Sequence, residues 1–472
     1  MAESSPAGAG GAPRPAAPAA DGMLQIRGGV GGLTFQFEEL LAGAAALDTV
    51  VGQLGSLESE ADAVRRALFA YQSDAYASGT RAVIAAGEAA RAVGRVRADL
   101  ERLCRDVSAS HREYEFTEAR NSLLLRMGRI GPAFGPLWGR FGMPALTVRD
   151  IAEDGAARAS GRMAILLGVP GALAGALGGS GGPPGVGDAV RGLGTASGFE
   201  FLRPRPVRIA GAETRTEDVD ASPAGLLLRA EAVGGRSGEI EVLQLDGGSG
   251  RAWVVVIPGT QLDGLPAGTN PFDSGGIAEG LAYGSAETAA AIRQALREAG
   301  AKAGEPLAAV GYSQGGIHAM NLSQDKAFLA EYDLKFVLTA GSPVGGITPE
   351  PGISSLHLEH EQDWVPGADG QSNADTKDRV TVTLTNPLDV PPLADFGLGP
   401  GHRLGNYAFG AEAVAVSKDP SLQASTVALA AVVGSGGAAT VTRFSLRREA
   451  MPAQKADRRP QARRAGPRKA AA

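Results

Sequence analysis

Glu305 to Ser323 reads EPLAAVGYSQGGIHAMNLS. A short apolar run, Pro306 to Val310, leads into Gly311-Tyr312-Ser313-Gln314-Gly315, and a helix-compatible run follows. Strand, tight turn and helix, with small residues around a serine, form the context of a nucleophile elbow. Such a serine works only with a base, an acid and an oxyanion hole, so the remainder of the chain is read for those three. The pattern alone discriminates little, because 68 of the 472 residues are Gly. A second copy at Gly178-Gly179-Ser180-Gly181-Gly182 lies inside a glycine run with no strand before it. Context therefore selects Ser313.

Around this stretch the pattern alternates between strand and helix. Pro206–Ile209, Leu226–Ala230, Glu239–Leu245 and Arg251–Ile257 read as strands. Asp246 to Gly250 supplies a turn that makes the last two a hairpin. A helix is expected over Ser285–Ala299, with Ser285 as its cap and Gly300 as its stop. After the helix from 314 to about 324, strands are expected at Lys335–Thr339, Ser354–Glu359 and Val380–Leu384. Strands alternating with helices imply an α/β class, with a mostly parallel sheet and helices on both faces.

Upstream, Phe37, Leu40, Ala44, Leu47, Val51, Leu54, Ala61, Val64, Leu68 and Tyr71 are spaced by threes and fours, with one step of seven. A second stripe runs Ala86, Ala89, Val93, Val96, Leu100, Leu103, Val107. Two amphipathic helices with a break at 73–80 predict an antiparallel helical hairpin, which must pack on itself, a second copy or a partner. The expected organisation is a disordered Ala/Pro/Gly-rich segment at 1–30, the hairpin at 31–120, a helical and Gly-rich connection at 121–202, an α/β domain at 203–442 and a disordered basic tail at 443–472. Within the connection, Leu123–Met127 and Arg158–Leu167 read as helices and 178–187 as a flexible linker.

Acyl-transfer chemistry needs a neutral imidazole to take the serine proton and a carboxylate to fix the imidazole's tautomer. In the chain order Ser…Asp/Glu…His, the acid leaves a strand after the elbow and the histidine follows the final strand. Asp363 comes just after Ser354–Glu359, and Asp369, Asp375 and Asp378 are the alternatives further along the same loop. His402 is the only one of five histidines beyond Asp363. For the oxyanion, Gln314 supplies one backbone N–H, and Thr260, with Gln261 as fallback, supplies the other after the strand ending at Ile257. Two stretches with apolar residues near this face, Gln261–Tyr283 and Asn386–Gly401, suit a cap over an acyl chain or ordinary packing against the flanking helices.

Residues 250 to 410 resemble the class 3 (fungal-type) lipase branch of the α/β-hydrolases. The matching pieces are Gly259-Thr260 after a hydrophobic strand, the elbow, Thr339-Ala340-Gly341-Ser342-Pro343, Asp363-Trp364-Val365-Pro366, and His402 with Tyr407 five residues later. The departures are Pro258 where those lipases often carry Arg, and the absence of their disulfides. The resemblance implies an α/β-hydrolase fold and hydrolysis of carboxylic esters, lipids among them. Thioester or peptide cleavage uses the same residues, and a non-catalytic scaffold acting through the hairpin is the reading from another class. The hairpin is loosely similar to the WxG-type substrates of type VII secretion. Tyr114 and Glu118 match their Tyr-x-x-x-Asp/Glu export signal, but no Trp-x-Gly occupies the turn.

Composition limits the alternatives. Hydrophobic residues make up 44% and charged residues 20%. The net charge of −6 combines +8 from Arg443 onward with −14 elsewhere, unlike a dedicated nucleic-acid binder. The basic tail suits contact with an anionic surface such as lipid headgroups. Cys104 is the only cysteine, which excludes an internal disulfide and a multi-cysteine zinc site. No cofactor or metal motif is expected. No signal peptide or transmembrane run is read, which leaves unconventional export or the cytoplasm.

Overall fold

The computed structural model describes residues 20–30, 33–71, 76–128, 185–247, 250–261, 268–388 and 398–451, with backbone alone at 20–21, 33–40, 42, 76, 110–128 and 247. Ten strands form one sheet: β1 (Ala20–Asp21), β2 (Leu24–Gly28), β3 (Val207–Asp220), β4 (Glu239–Gly247), β5 (Gly250–Ile257), β6 (Pro306–Tyr312), β7 (Asp333–Ala340), β8 (Ser354–His360), β9 (Arg379–Leu384) and β10 (Gly436–Arg448). Their order is β1-β2-β9-β8-β7-β6-β5-β4-β10-β3. The five central strands, β5 to β9, are parallel, while β4, β10 and β3 on one side and β2 and β1 on the other are antiparallel. The sheet is thus mixed, and the expectation of a mostly parallel one is corrected. The parallel core is where helical crossovers were legible. Of the outer strands, β4 matches the expected strand and its hairpin with β5, and β3 begins where a strand is expected but runs on to Asp220, whereas β1, β2 and β10 are not expected.

Those unexpected strands lie at the chain ends. Residues 20–28, expected to be disordered, add β1 and β2 to the edge beyond β9. Residues 443–448, expected to begin the basic tail, lie inside β10, between β3 and β4. There Phe444 and Leu446 alternate with Arg443, Ser445 and Arg447, so the strand buries one face although its sequence is basic.

The helices after the hairpin are α3 (Val186–Gly194), α4 (Pro223–Gly234), α5 (Ser274–Tyr283), α6 (Ala286–Ala299), α7 (Gln314–Leu322), α8 (Lys326–Leu329), α9 (Leu404–Val416) and α10 (Pro420–Val433). The period-2 alternation of the strands feeds two cores. In β5, Val254 and Val256 point to a core closed by α4, α9 and α10, while Trp253, Val255 and Ile257 point to one closed by α6, α7 and α8. Helices therefore cover both faces. Leu226–Ala230, read as a strand, is helix α4. Pro223 sits at its first position, and Ser222 caps it by accepting from Gly225 N–H at 3.1 Å.

Over β8 and β9 the cover changes. The crossovers from β7 to β8 and from β8 to β9 hold no α-helix, and the strand face beneath them is polar. Ser355, His357, Glu359, Arg379 and Thr381 are all buried there. Arg379 binds the loops by donating to the carbonyls of Val344 and Ile347, both at 2.8 Å, and to Asn373 Oδ1 at 2.6 Å. Hydrogen bonds do here what apolar packing does under the helices.

The hairpin forms as α1 (Leu33–Leu68) and α2 (Tyr76–Gly128). Its inward seam is narrower and more polar than the stripes predicted. Ala44, Val51 and Ala90 are buried, and Arg97 of α2 bonds Glu58 of α1 at 3.0 Å. Val64 and Tyr71, expected on the seam, are exposed, as are Val96 and Leu103. Tyr114 and Glu118 fall in the backbone-only part of α2. The helix expected at 158–167, most of the 178–187 linker and the tail after 451 lie outside the described residues. No helix among the described residues is long and apolar enough to cross a membrane.

Candidate active site

Ser313 sits between the end of β6 and the start of α7. Its backbone is in the left-handed half of conformational space, φ 53° and ψ −120°, which costs a non-glycine residue about 1–3 kcal/mol. The surroundings hold it there. Its N–H donates to Ala340 O at 2.8 Å, and its carbonyl accepts from Gly316 N–H at 3.1 Å. Gly315 is required because a Cβ there would lie 2.3 Å from Ile257 O and 2.4 Å from Pro258 O. The turn is therefore pressed against the end of β5, where the oxyanion donor was sought.

The hydroxyl of Ser313 donates to His402 Nε2 at 2.9 Å, and His402 Nδ1 donates to Asp363 Oδ2 at 2.7 Å. All three residues are buried. The structure brings together the three sequence-selected residues from the ends of β6 and β8 and from the loop after β9. Asp363 Oδ1 accepts from Val365 N–H at 2.9 Å, and Oδ2 also accepts from Tyr407 OH at 2.5 Å. Burial, reinforced by the Asp363 carboxylate, pushes the Tyr407 phenol well above its ordinary value, so it remains a donor. The other acids do not reach the imidazole. Asp369, for example, accepts from the backbone of Gly346 and Gln371.

His318, His357 and His360 have structural partners. His318 is held by Ser285 Oγ at 2.7 Å, and burial, with the nearby Arg448 charge, pushes its pKa down to about 3. His357 lies between Thr339 Oγ1 and Ser355 Oγ, and burial holds it well below its ordinary value. His360 donates from Nε2 to Asn386 O and accepts on Nδ1 from Gln362 N–H.

Of the oxyanion candidates, Gln314 opens α7, so its N–H has no intrahelical acceptor. Gly259 is close beside Ser313, since a Cβ on it would lie 3.3 Å from Ser313 Cβ. That leaves Thr260 next in line on the chain. Gln261 is unsuited as the donor because its N–H is spent on Phe272 O at 2.7 Å. Its side chain is a clamp, accepting from Gly238 N–H and Asn270 Nδ2 and donating to Arg236 O.

A cavity of about 830 Å³ opens beside this point, lined by Gly259, Thr260, Tyr312, Asn386, Leu404 and Phe409 among others. Of the two readings of 261–283, a cap or ordinary packing, the described residues favour packing. Residues 274–283 are helix α5, and Phe272 is fully buried in the core, so it is packing and not a substrate contact. Residues 262–267 and 389–397 lie outside the described residues.

Two local expectations also change. Ser285, expected to cap α6, does not do so with its side chain. The buried Glu279 carboxylate accepts from the N–H groups of Glu287 at 3.0 Å and Thr288 at 2.8 Å instead. Sequence reasoning missed this because the cap comes from a different helix. It also missed the buried ion pair of Asp273 with Arg448 of β10. Among the described residues no group of three or more His, Cys, Asp or Glu is placed to hold a metal ion. No protein-family model, no curated protein and no solved structure matches this chain.

Proposed function

We propose that this protein is a serine hydrolase of the α/β-hydrolase type that cleaves carboxylic esters through an acyl-enzyme on Ser313. The observation that carries the reading is the unbroken hydrogen-bond chain from Ser313 Oγ through His402 to Asp363, ending at a strained turn beside a cavity. His402 Nε2 takes the hydroxyl proton as Ser313 Oγ bonds to the ester carbonyl carbon. The carbonyl oxygen gains the charge and is met by the N–H groups of Gln314 and Thr260. Asp363 keeps Nδ1 protonated and stabilises the imidazolium. When the tetrahedral species collapses, the C–O bond to the alcohol breaks and His402 returns the proton to the leaving oxygen. Water, deprotonated by the same imidazole, then releases the acid and restores Ser313. Thioesters and activated amides are cleaved by the same steps with a different leaving atom, so the leaving group is set by substrate and not by the triad.

A fluorophosphonate probe tests the reading. The wild-type chain is expected to be labelled, and Ser313→Ala and His402→Ala are expected not to be. Labelling that survives both substitutions refutes it. A panel of p-nitrophenyl esters of rising chain length then ranks esterase against lipase activity.

A separate observation supports a binding role for the hairpin. Val50, Leu57, Val64 and Tyr71 recur every seven residues along one side of the helix pair and are 40–65% exposed. Such a stripe suits a helical partner or a second copy of the chain. If so, Leu57→Glu with Val64→Glu abolishes self-association of the full chain in sedimentation or capture of a helical partner, while Ser313→Ala leaves both intact.

A further inference from the structure

We propose that Tyr312 is a positioning residue that holds the His402 imidazole in line with Ser313 throughout turnover. The inference rests on the hydrolase reading of the site. His402 belongs to no long regular element. It ends the 3-10 turn Pro400–His402, where its backbone N–H donates locally to Gly399 O at 3.1 Å. A proton shuttle mounted on a loop needs support from elsewhere, because the ring must face Ser313 Oγ first and the leaving group next.

Tyr312 supplies that support in two ways. Its hydroxyl donates to the His402 carbonyl oxygen, which fixes the backbone. Its ring is stacked on the imidazole, with centroids 5.1 Å apart and planes inclined by 28°. Gly341 also borders the imidazole, since a Cβ there would come within 3.2 Å of His402 Cε1 and Nδ1. That approach is tight for a Cβ, and φ 59° at Gly341 favours glycine. With the stack on its face, the two edge hydrogen bonds and Gly341 close by, the imidazole has little room to turn.

The stack also has an electrostatic consequence. When the imidazole takes the serine proton it becomes a cation over the face of an aromatic ring, an arrangement favoured by the ring quadrupole. The stabilisation is present only while the proton is on His402, so it acts on the transition state more than on bound substrate. Tyr312 is also the residue before the nucleophile, and it lines the cavity beside Gly259, whose Cβ would lie 2.7 Å from Tyr312 Cδ1. One side chain of the elbow thereby references the base, the oxyanion strand end and the substrate cavity to the end of β6.

The test compares Tyr312→Leu and Tyr312→Phe with wild type in the full chain. Tyr312→Leu is expected to lower kcat roughly 10- to 30-fold with KM changed less than about twofold, the range a desolvated cation–π contact spans. Tyr312→Phe keeps the stack and is expected to recover most of that loss. In proton NMR, the low-field resonance of the His402–Asp363 hydrogen bond is expected to be sharp in wild type and in Tyr312→Phe, and broadened in Tyr312→Leu. The proposal is overturned if Tyr312→Leu retains kcat, if its loss falls on KM alone, if Tyr312→Phe loses as much as Leu, or if the resonance is unchanged. If wild type cleaves no ester and takes no fluorophosphonate, the hydrolase reading fails instead, and the NMR arm still decides whether Tyr312 positions His402.

Discussion

Ser313 with His402 and Ser285 with His318 are two versions of one arrangement. Both serines have positive φ, 53° and 59°, and they are the two described non-glycine residues that do. Both hydroxyls meet an imidazole nitrogen, at 2.9 Å and 2.7 Å, and both pairs are buried. They diverge at the far nitrogen. His402 Nδ1 meets the Asp363 carboxylate, whereas His318 Nε2 meets the Gln314 side-chain amide at 3.2 Å and lies in the field of Arg448. A carboxylate favours the imidazolium that catalysis requires, while burial near a cation opposes it. The Ser313 side adjoins a cavity. Ser285 is instead bonded by Asn321 Nδ2 at 2.8 Å in the packing between α5 and α7. A serine beside a histidine is therefore not a nucleophile by proximity; the third group and access decide.

The comparison is most sharply broken by exchanging the serines. Ser313→Ala is expected to abolish fluorophosphonate labelling, with ester hydrolysis falling by about 10⁶. Ser285→Ala is expected to keep the labelling and lose about 1–3 kcal/mol of stability in urea, because His318 and Asn321 are left unsatisfied. Loss of labelling in Ser285→Ala alone, at full folding, would reverse the assignment.

The next effect tests the third group. Asp363→Asn keeps the shape but removes the carboxylate, and kcat is expected to fall by roughly 10⁴. A fall under tenfold would mean that Asp363 is not the acid.

His318 predicts a pH effect on stability. Its pKa is about 3 in the folded chain against an ordinary 6.5. On acidification the unfolded chain binds the proton first, so stability is lost as pH falls from about 6.5 towards 3. Between pH 7 and pH 5 the loss from this group is about 2 kcal/mol. A His318→Gln variant should show that much less decline in urea unfolding across the same interval, and an equal decline would contradict the buried neutral imidazole. The smallest expected effect is at Tyr407. Tyr407→Phe removes one of the donors to Asp363 and is expected to lower kcat about tenfold, measured on a p-nitrophenyl ester.

Legibility in the sequence followed the range of the forces involved. The parallel strands β5 to β9 were readable because their apolar runs are short and bounded by turn residues, and their connections include helices with a 3.6-residue period. Arg443 to Arg448 was not, because Arg443 and Arg448 meet their carboxylates, Glu241 and Asp273, only in the folded chain, and until then the segment has the composition of a basic tail. Residues 20–28 were hidden in the same way, since an edge strand needs a neighbour such as β9 before its backbone groups are satisfied. The hairpin seam was misjudged at Val64 and Tyr71, because a stripe of threes and fours defines a wide face and only the second helix says which part of it is covered.

At the site, strand–turn–helix context singled out Ser313, chain order singled out His402, and chain order with nearness to a strand end favoured Asp363 while leaving Asp369, Asp375 and Asp378 as alternatives. That order reflects how a β-strand, a turn and a loop deliver side chains to one edge of a parallel sheet. What chain order does not contain is distance. The choice of Asp363 over Asp369, of Thr260 over Gln261, and the parts played by Tyr312, Tyr407 and Glu279 were decided by the tertiary structure. Hydrogen bonds act over about 3 Å, and the residues they join here lie far apart along the chain. The sequence by itself carried the residue types and the order that the proposed acyl-transfer chemistry needs. Packing decided which of its serine–histidine pairs is aimed at a carboxylate beside a cavity, because only the folded backbone brings those groups together.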